Sequence, residues 1–124
     1  MVKREDQMRY IRTKDGRIID TAKIVTGSKY MDFATNDESF RVIFKTEPLS
    51  KSENLEELCD EFVIEYRDGS KIISIHDNTK EFLKEHKYEL KSGYIKNVYG
   101  AIWVDGKGLI YVAKMNENGK LELI

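Results

Sequence analysis

Few side chains in this sequence can do chemistry. There is one cysteine, Cys59, and there are two histidines, His76 and His86. Nucleophilic catalysis needs a thiol or hydroxyl beside a positioned base. Cys59 stands in Leu58-Cys59-Asp60, among apolar residues at helical spacing. A cysteine there behaves as a small hydrophobe with its thiol held protonated. The Gly-x-Ser-x-Gly elbow of serine hydrolases is missing. His76-Asp77 ends a predicted strand, and an imidazole held by a carboxylate is a general base. These two residues are the centre on which a small enzyme would be built. A metal would need His76 and His86 to converge with Asp77 or Glu85, and ten residues is not a ligand spacing. No phosphate-binding glycine motif or calcium loop is present, and Gly106-Lys107-Gly108 suits a hairpin loop. The expectation is a non-enzyme with no catalytic residues, no metal and no cofactor.

Two other groups of residues suit binding. Acidic pairs gather at Glu56-Glu57 and Asp60-Glu61. Acid–base catalysis needs two carboxyls in unlike environments, one of them desolvated. These are expected to face solvent, opposite Leu55 and Leu58. Glu56, Glu57 and Glu61 are therefore candidates for a protein contact. The second group alternates aromatic and basic: Lys84, Lys87, Tyr88, Lys91, Tyr94, Lys96, Tyr99 and Trp103, within 20 residues. Tyrosine and tryptophan are favoured in protein interfaces, which makes Tyr94 and Tyr99 candidates of that kind. Lys87, Lys91, Tyr94 and Lys96 would instead serve a weak nucleic-acid binder, with bases stacked on rings beside cations. The interleaved Glu81, Glu85 and Glu89 oppose that use by repelling phosphate. Tyr99 and Trp103 are four apart in a strand region, so they share one sheet face and fit a core equally well.

The elements that must position these residues are marked by glycine, since proline occurs once, at Pro48. Asp15-Gly16, Asp68-Gly69, Asp105-Gly106 and Asn118-Gly119 are hairpin dipeptides, because glycine takes positive φ without a Cβ clash. They predict hairpins between Tyr10–Thr13 and Arg17–Ile19, Phe62–Tyr66 and Lys71–Ile75, and Ala101–Val104 and Leu109–Ala113. The fourth joins Met115 to Leu121–Ile124. Two more strands are predicted at Tyr30–Ala34 and Phe40–Lys45, with a turn at Asn36–Glu38 and a loop over residues 46–53. Asn54 with Glu57 has the spacing of a capping box. Leu55, Leu58, Cys59 and Phe62 then share the face of a short helix. Asn78 with Glu81 starts a second helix from about Thr79 to Leu90, stopped by Ser92-Gly93. The fold expected is α+β: a mainly antiparallel, hairpin-rich curved sheet with two helices, one of them short. Partial barrel closure would protect its edges.

Composition bounds the rest. A chain of 124 residues predicts one globular domain, with residues 1–8 as a flexible N-terminal stretch. Hydrophobic content is 40%, charged content is 35% and net charge is −1. These values exclude a disordered chain and a strongly cationic binder. No apolar run nears the ~18 residues of a membrane span, and no apolar stretch follows Lys3-Arg4 as a secretory signal would require. No membrane role and a cytoplasmic location are expected. Charge is nonetheless uneven. Residues 1–29 carry eight basic and four acidic side chains, residues 47–68 two and eight, and residues 80–96 five and three.

Three blocks carry a resemblance: Tyr10-Ile11-Arg12-Thr13-Lys14-Asp15-Gly16-Arg17-Ile18-Ile19-Asp20-Thr21, Leu55-Glu56-Glu57-Leu58-Cys59-Asp60-Glu61-Phe62, and Tyr99–Val104 with Gly108–Met115. Together they resemble uncharacterised short proteins of prophages and conjugative elements in low-GC Gram-positive bacteria. The resemblance implies a mobile-element accessory protein in a bacterial cytoplasm and transfers no catalytic residue. The function expected is a protein-interaction module whose partner is a protein of the host or of the element. Nucleic-acid binding is the alternative, and an enzyme centred on His76 and Asp77 the third reading.

Overall fold

The computed structural model describes residues 9–21, 37–75 and 78–124. They fall into two compact units, Met1–Leu58 and Cys59–Ile124. Both are built on antiparallel sheets, so the molecule is α+β and mostly strand. The predicted strand at Tyr30–Ala34, the stretch 1–8 and the pair His76-Asp77 lie outside the described residues.

In the first unit, β1 (Tyr10–Thr13), β2 (Ile18–Asp20) and β3 (Pro48–Ser52) form a sheet in the order β2-β1-β3. The first hairpin closes as predicted. Thr13 N donates to Arg17 O, Arg17 N donates to Thr13 Oγ1, and Gly16 takes φ 92°. Asp20, nearly buried, accepts two bonds from the Arg9 guanidinium at 3.1 Å. Its carboxylate holds the Arg9 pKa above the ordinary value. A buried charge with such a partner avoids the penalty of an unpaired one.

Two expectations fail in this unit. Residues 40–45 are not a strand. They lie in or directly after helix α1 (Asp37–Phe44). A strand would put Phe40, Val42 and Phe44 on one face, yet Phe40 is buried and Val42 is exposed. Phe40 and Phe44 instead meet one turn apart, with ring centroids 4.6 Å apart. The packing of that pair overrides the strand propensity of the segment. Arg17 Nη2 donates to Phe44 O at 2.7 Å, satisfying a carbonyl that the helix end leaves open. Nor are residues 46–53 a loop. They contain β3, an edge strand that begins at proline, the position where a missing N–H costs least.

A single turn of helix, α2 (Leu55–Leu58), ends this unit. The predicted helix stops there, and Cys59 and Phe62 are not on it. Phe62 belongs to β4 (Glu61–Tyr66) because Phe62-Val63-Ile64 pairs along β6 (Ile95–Val104). The remaining strands are β5 (Lys71–Ile73), β7 (Gly108–Met115) and β8 (Leu121–Leu123). Their order is β5-β4-β6-β7-β8, an open sheet and not a barrel.

Between β5 and β6 the chain crosses over through α3 (Thr79–Glu85) and α4 (Lys87–Ser92). One helix was expected here, and it is divided at His86. The His86 ring stacks on Phe82 at 4.7 Å, and Nδ1 lies 3.1 Å from Glu89 Oε1. Four helices thus stand among the described residues where two were expected. The predicted cap holds: Asn78 Oδ1 accepts from Glu81 N at 2.8 Å. The predicted stop holds too, with Gly93 at φ 81°. Phe82 packs with Ile64, Ile95 and Val98, and Tyr66, Leu83, Leu90 and Met115 close around them. One face of the sheet is thereby covered by its own crossover.

Candidate functional site

Strand alternation assigns the side chains of the second unit's sheet to two faces. Ile64 and Val98 point toward α3, where they pack with Phe82, and Phe62 shares their parity. The register Val63–Tyr99 and Glu65–Asn97 puts those four residues on the opposite face. Glu61 and Trp103 belong to the same face by parity.

β7 would break this pattern if it were regular, because Tyr111 and Ala113 have equal parity. An irregularity separates them. β7 advances from Ala113 to Tyr111 while β6 advances one residue, from Gly100 to Ala101. Such bulges re-aim a side chain. Ala113 stays against Gly100, whereas the Tyr111 ring stacks on Tyr99 with centroids 4.8 Å apart and planes at 16°.

A polar network surrounds the stacked pair. Glu65 Oε1 accepts from Asn97 Nδ2 at 2.7 Å and from the Tyr99 hydroxyl at 3.3 Å. Lys71 Nζ stands 3.9 Å from Glu65 Oε2 and 5.6 Å from the Tyr111 ring centroid. The bond from Asn97, with the nearby charges of Lys96 and Lys71 and the Tyr99 bond, holds the Glu65 carboxyl below its ordinary range. Burial, and then the Glu65 charge, pushes the Tyr99 hydroxyl the other way, above its ordinary value. At one end of this face stands Trp103, 51% exposed. Asp60 Oδ2 accepts from its backbone N at 2.7 Å, and the indole Nε1 lies 3.5 Å from Glu61 Oε1. The arrangement is a half-buried tyrosine pair beside a hydrogen-bonded carboxylate, with the exposed indole of Trp103 at one end.

The sequence candidates are dispersed. Glu56 and Glu57 lie on α2 in the first unit, and Glu61 begins β4 in the second. One acidic helix carrying all three does not exist. Glu57 is committed to its own turn: Ser52 Oγ donates to Oε2 at 2.6 Å and Asn54 Nδ2 to Oε1 at 3.3 Å. Ser52 first, then Asn54, holds its pKa below the ordinary value. The predicted capping box is thus present in altered form. Asn54 N turns to Ser52 Oγ instead of to Glu57.

Tyr99 joins the tyrosine pair, while Tyr94 follows Gly93 just before β6 and is exposed, its carbonyl accepting from Arg67 N. Lys87 and Lys91 project from α4, and Lys96 from β6, all exposed. Cys59 Sγ fills the space above Gly100, where an added Cβ would come within 2.6 Å of it. Among the described residues no three His, Cys, Asp or Glu side chains gather as metal ligands. No helix among them is long and apolar enough to cross a membrane.

Glu65, Lys71, Asn97 and Tyr111 were not candidates from the sequence. The alternation Glu61-x-Val63-x-Glu65 and Asn97-x-Tyr99 would have pointed to three strand positions facing one way. Tyr111 left no such signal, because its placement depends on the bulge. No protein-family model, curated protein or solved structure matches this chain.

Proposed function

We propose that the chain is a non-enzymatic protein-interaction module of a bacterial mobile element, acting in the cytoplasm. Its partner is a protein of the host or of the element. It docks through the sheet face that carries Trp103, Tyr99 and Tyr111, with Glu61 and Glu65 at its edge. The observation that supports this reading is Trp103, a half-exposed indole whose backbone N donates to Asp60 and whose Nε1 lies 3.5 Å from Glu61 Oε1. A tryptophan has only two side-chain torsions to lose on binding, and such residues supply much of the energy of protein contacts. Glu57 is the weaker candidate, because its carboxylate is engaged by Ser52 and Asn54. The resemblance to mobile-element proteins supplies the biological setting.

The test is capture from host lysate after nuclease treatment, with wild type and Trp103→Ala compared side by side. A protein retained by wild type and lost by the variant supports the reading. Equal retention by both overturns the sheet face as the docking surface. Failure to retain any protein from the host, and from cells in which the mobile element is expressed, overturns the module reading itself.

A further inference from the structure

The helical side of the second unit presents a different surface. At about 100° per residue, Lys87, Lys91 and Tyr88 fall within about 100° of arc on α4. Glu89 and Leu90 occupy the other side. Leu90 packs against the core, and Glu89 turns to His86 Nδ1 and the Tyr66 hydroxyl. Of the three carboxylates that should repel phosphate, Glu89 is thereby engaged and withdrawn from the exposed arc of α4, while Glu81 and Glu85 stay exposed on α3. Gly93, in the left-handed conformation, then turns the chain so that Tyr94 projects outward. Its carbonyl accepts from Arg67 N, and the Arg67 guanidinium bonds the Gly93 carbonyl. β6 next makes a register irregularity against Glu65 and Tyr66, which leaves Ile95 buried and Lys96 exposed.

Tyr88 is 88% exposed and Tyr94 is 69% exposed. Lys87, Lys91 and Lys96 form no ion pair among the described residues, although Glu65 senses the charge of Lys96. Two bare rings and three cations thus occupy ten consecutive residues, 87–96, with one carboxylate already engaged.

We propose that this surface binds single-stranded nucleic acid, with bases stacked on Tyr88 and Tyr94 and phosphates on Lys87, Lys91 and Lys96. Cations alone would suit any polyanion. The rings select the single strand, because a duplex hides its base faces and an acidic peptide has none to stack. Lys87 and Lys91, one helical turn apart, can follow successive phosphates of a flexible strand. The proposal shares no residue with the docking face named above, although Lys96 stands near enough to Glu65 for its charge to act there.

Fluorescence anisotropy with a labelled oligo-dT of about 16 nucleotides tests it, beside a duplex of equal length. The single strand is expected to bind in preference to the duplex. The slope of log affinity against log salt is expected near −2, for three phosphate contacts at about −0.7 each. Tyr88→Ala and Tyr94→Ala are each expected to weaken binding about tenfold and leave that slope unchanged. Lys87→Gln with Lys91→Gln is expected to flatten the slope by about 1.4. All four side chains are exposed, so the variants should keep the wild-type circular dichroism spectrum. Absence of binding at low salt overturns the proposal. So does duplex binding that equals single-strand binding and ignores the tyrosine changes, which would be polyelectrolyte attraction alone.

Discussion

Glu57 and Glu65 are both held ionised by neighbours that donate to them, Ser52 and Asn54 in one case and Asn97 and Tyr99 in the other. Glu47, bonded to Lys14, and Asp68, bonded to Ser70, are shifted in the same direction. In each the folded pKa lies below the unfolded one. Between those two values the unfolded chain binds more protons, so stability rises with pH. The contribution is complete above the ordinary glutamate value of 4.5 and is lost as pH falls below it through the folded values. Thermal unfolding followed from neutral pH to about pH 3 should show this decline. Glu57→Gln should lower the neutral melting temperature and flatten the acid limb. An acid limb unchanged by the substitution would mean that Ser52 and Asn54 bond the carboxylate equally well in the unfolded chain. At the same scale, Tyr99→Phe removes one donor to Glu65 and leaves Asn97 in place. The expected cost in denaturant unfolding is about 1 kcal/mol. Of the network around Glu65 the sequence marks only Tyr99, because Glu65, Asn97 and Tyr111 come from three strands. Their meeting depends on a register and a bulge that residue types do not encode locally.

Elements differ in how far their own residues specify them. The Asp-Gly and Asn-Gly hairpins were legible because the conformation needed is local: Gly69, for example, takes φ 91° while Asp68 Oδ1 accepts from Ser70 N. The cap of α3 was legible for the same reason. Asn78→Ala should cost about 1 kcal/mol by losing the bond to Glu81 N. Calorimetry would measure it. In contrast, the residues of α1 suggest a strand, because Phe40-Arg41-Val42-Ile43-Phe44 has strand-forming residues and only packing shows that Phe40 and Phe44 belong one turn apart. β3 leaves little signal in the sequence, because Leu49-Ser50-Lys51-Ser52 has little strand character and owes its form to pairing with β1. The β4–β6 pairing was beyond local reasoning, since the crossover through α3 and α4 separates the two strands. That pairing makes its own demand. An added Cβ on Gly100 would come within 2.6 Å of Cys59 Sγ, 3.1 Å of Leu121 Cδ1 and 3.3 Å of Ala113 Cβ. Gly100→Ala should destabilise by about 1–3 kcal/mol, the usual penalty for overpacking. Adding Cys59→Ala should recover part of the loss, because it removes the nearest obstacle. A double variant no more stable than Gly100→Ala would place the strain at Leu121 and Ala113 instead.

At the scale of the molecule, charge is nearly balanced in sum and separated along the chain. The net charge of −1 combines +4 over residues 1–29 (eight basic, four acidic) with −6 over residues 47–68 (two basic, eight acidic). With a sequence pI of about 6.2, self-repulsion vanishes close to that pH. Attraction between copies should then be strongest there, and its source can be identified by salt. Segments of opposite sign attract through a field that falls off over about 10 Å at 0.1 M ionic strength. Added sodium chloride should therefore weaken the attraction. The competing source is apolar: Trp103, Tyr88, Tyr94 and Ile75 are all exposed. Contact between such groups does not weaken with added salt. Static light scattering near pH 6.2, with salt raised stepwise, separates the two. A second virial coefficient that rises with salt is the expected outcome and assigns self-association to charge. One that stays low or falls would assign it to the exposed rings. Trp103→Ala and Tyr88→Ala would then show which face of the second unit is responsible, since Trp103 stands on the side of the sheet opposite α4.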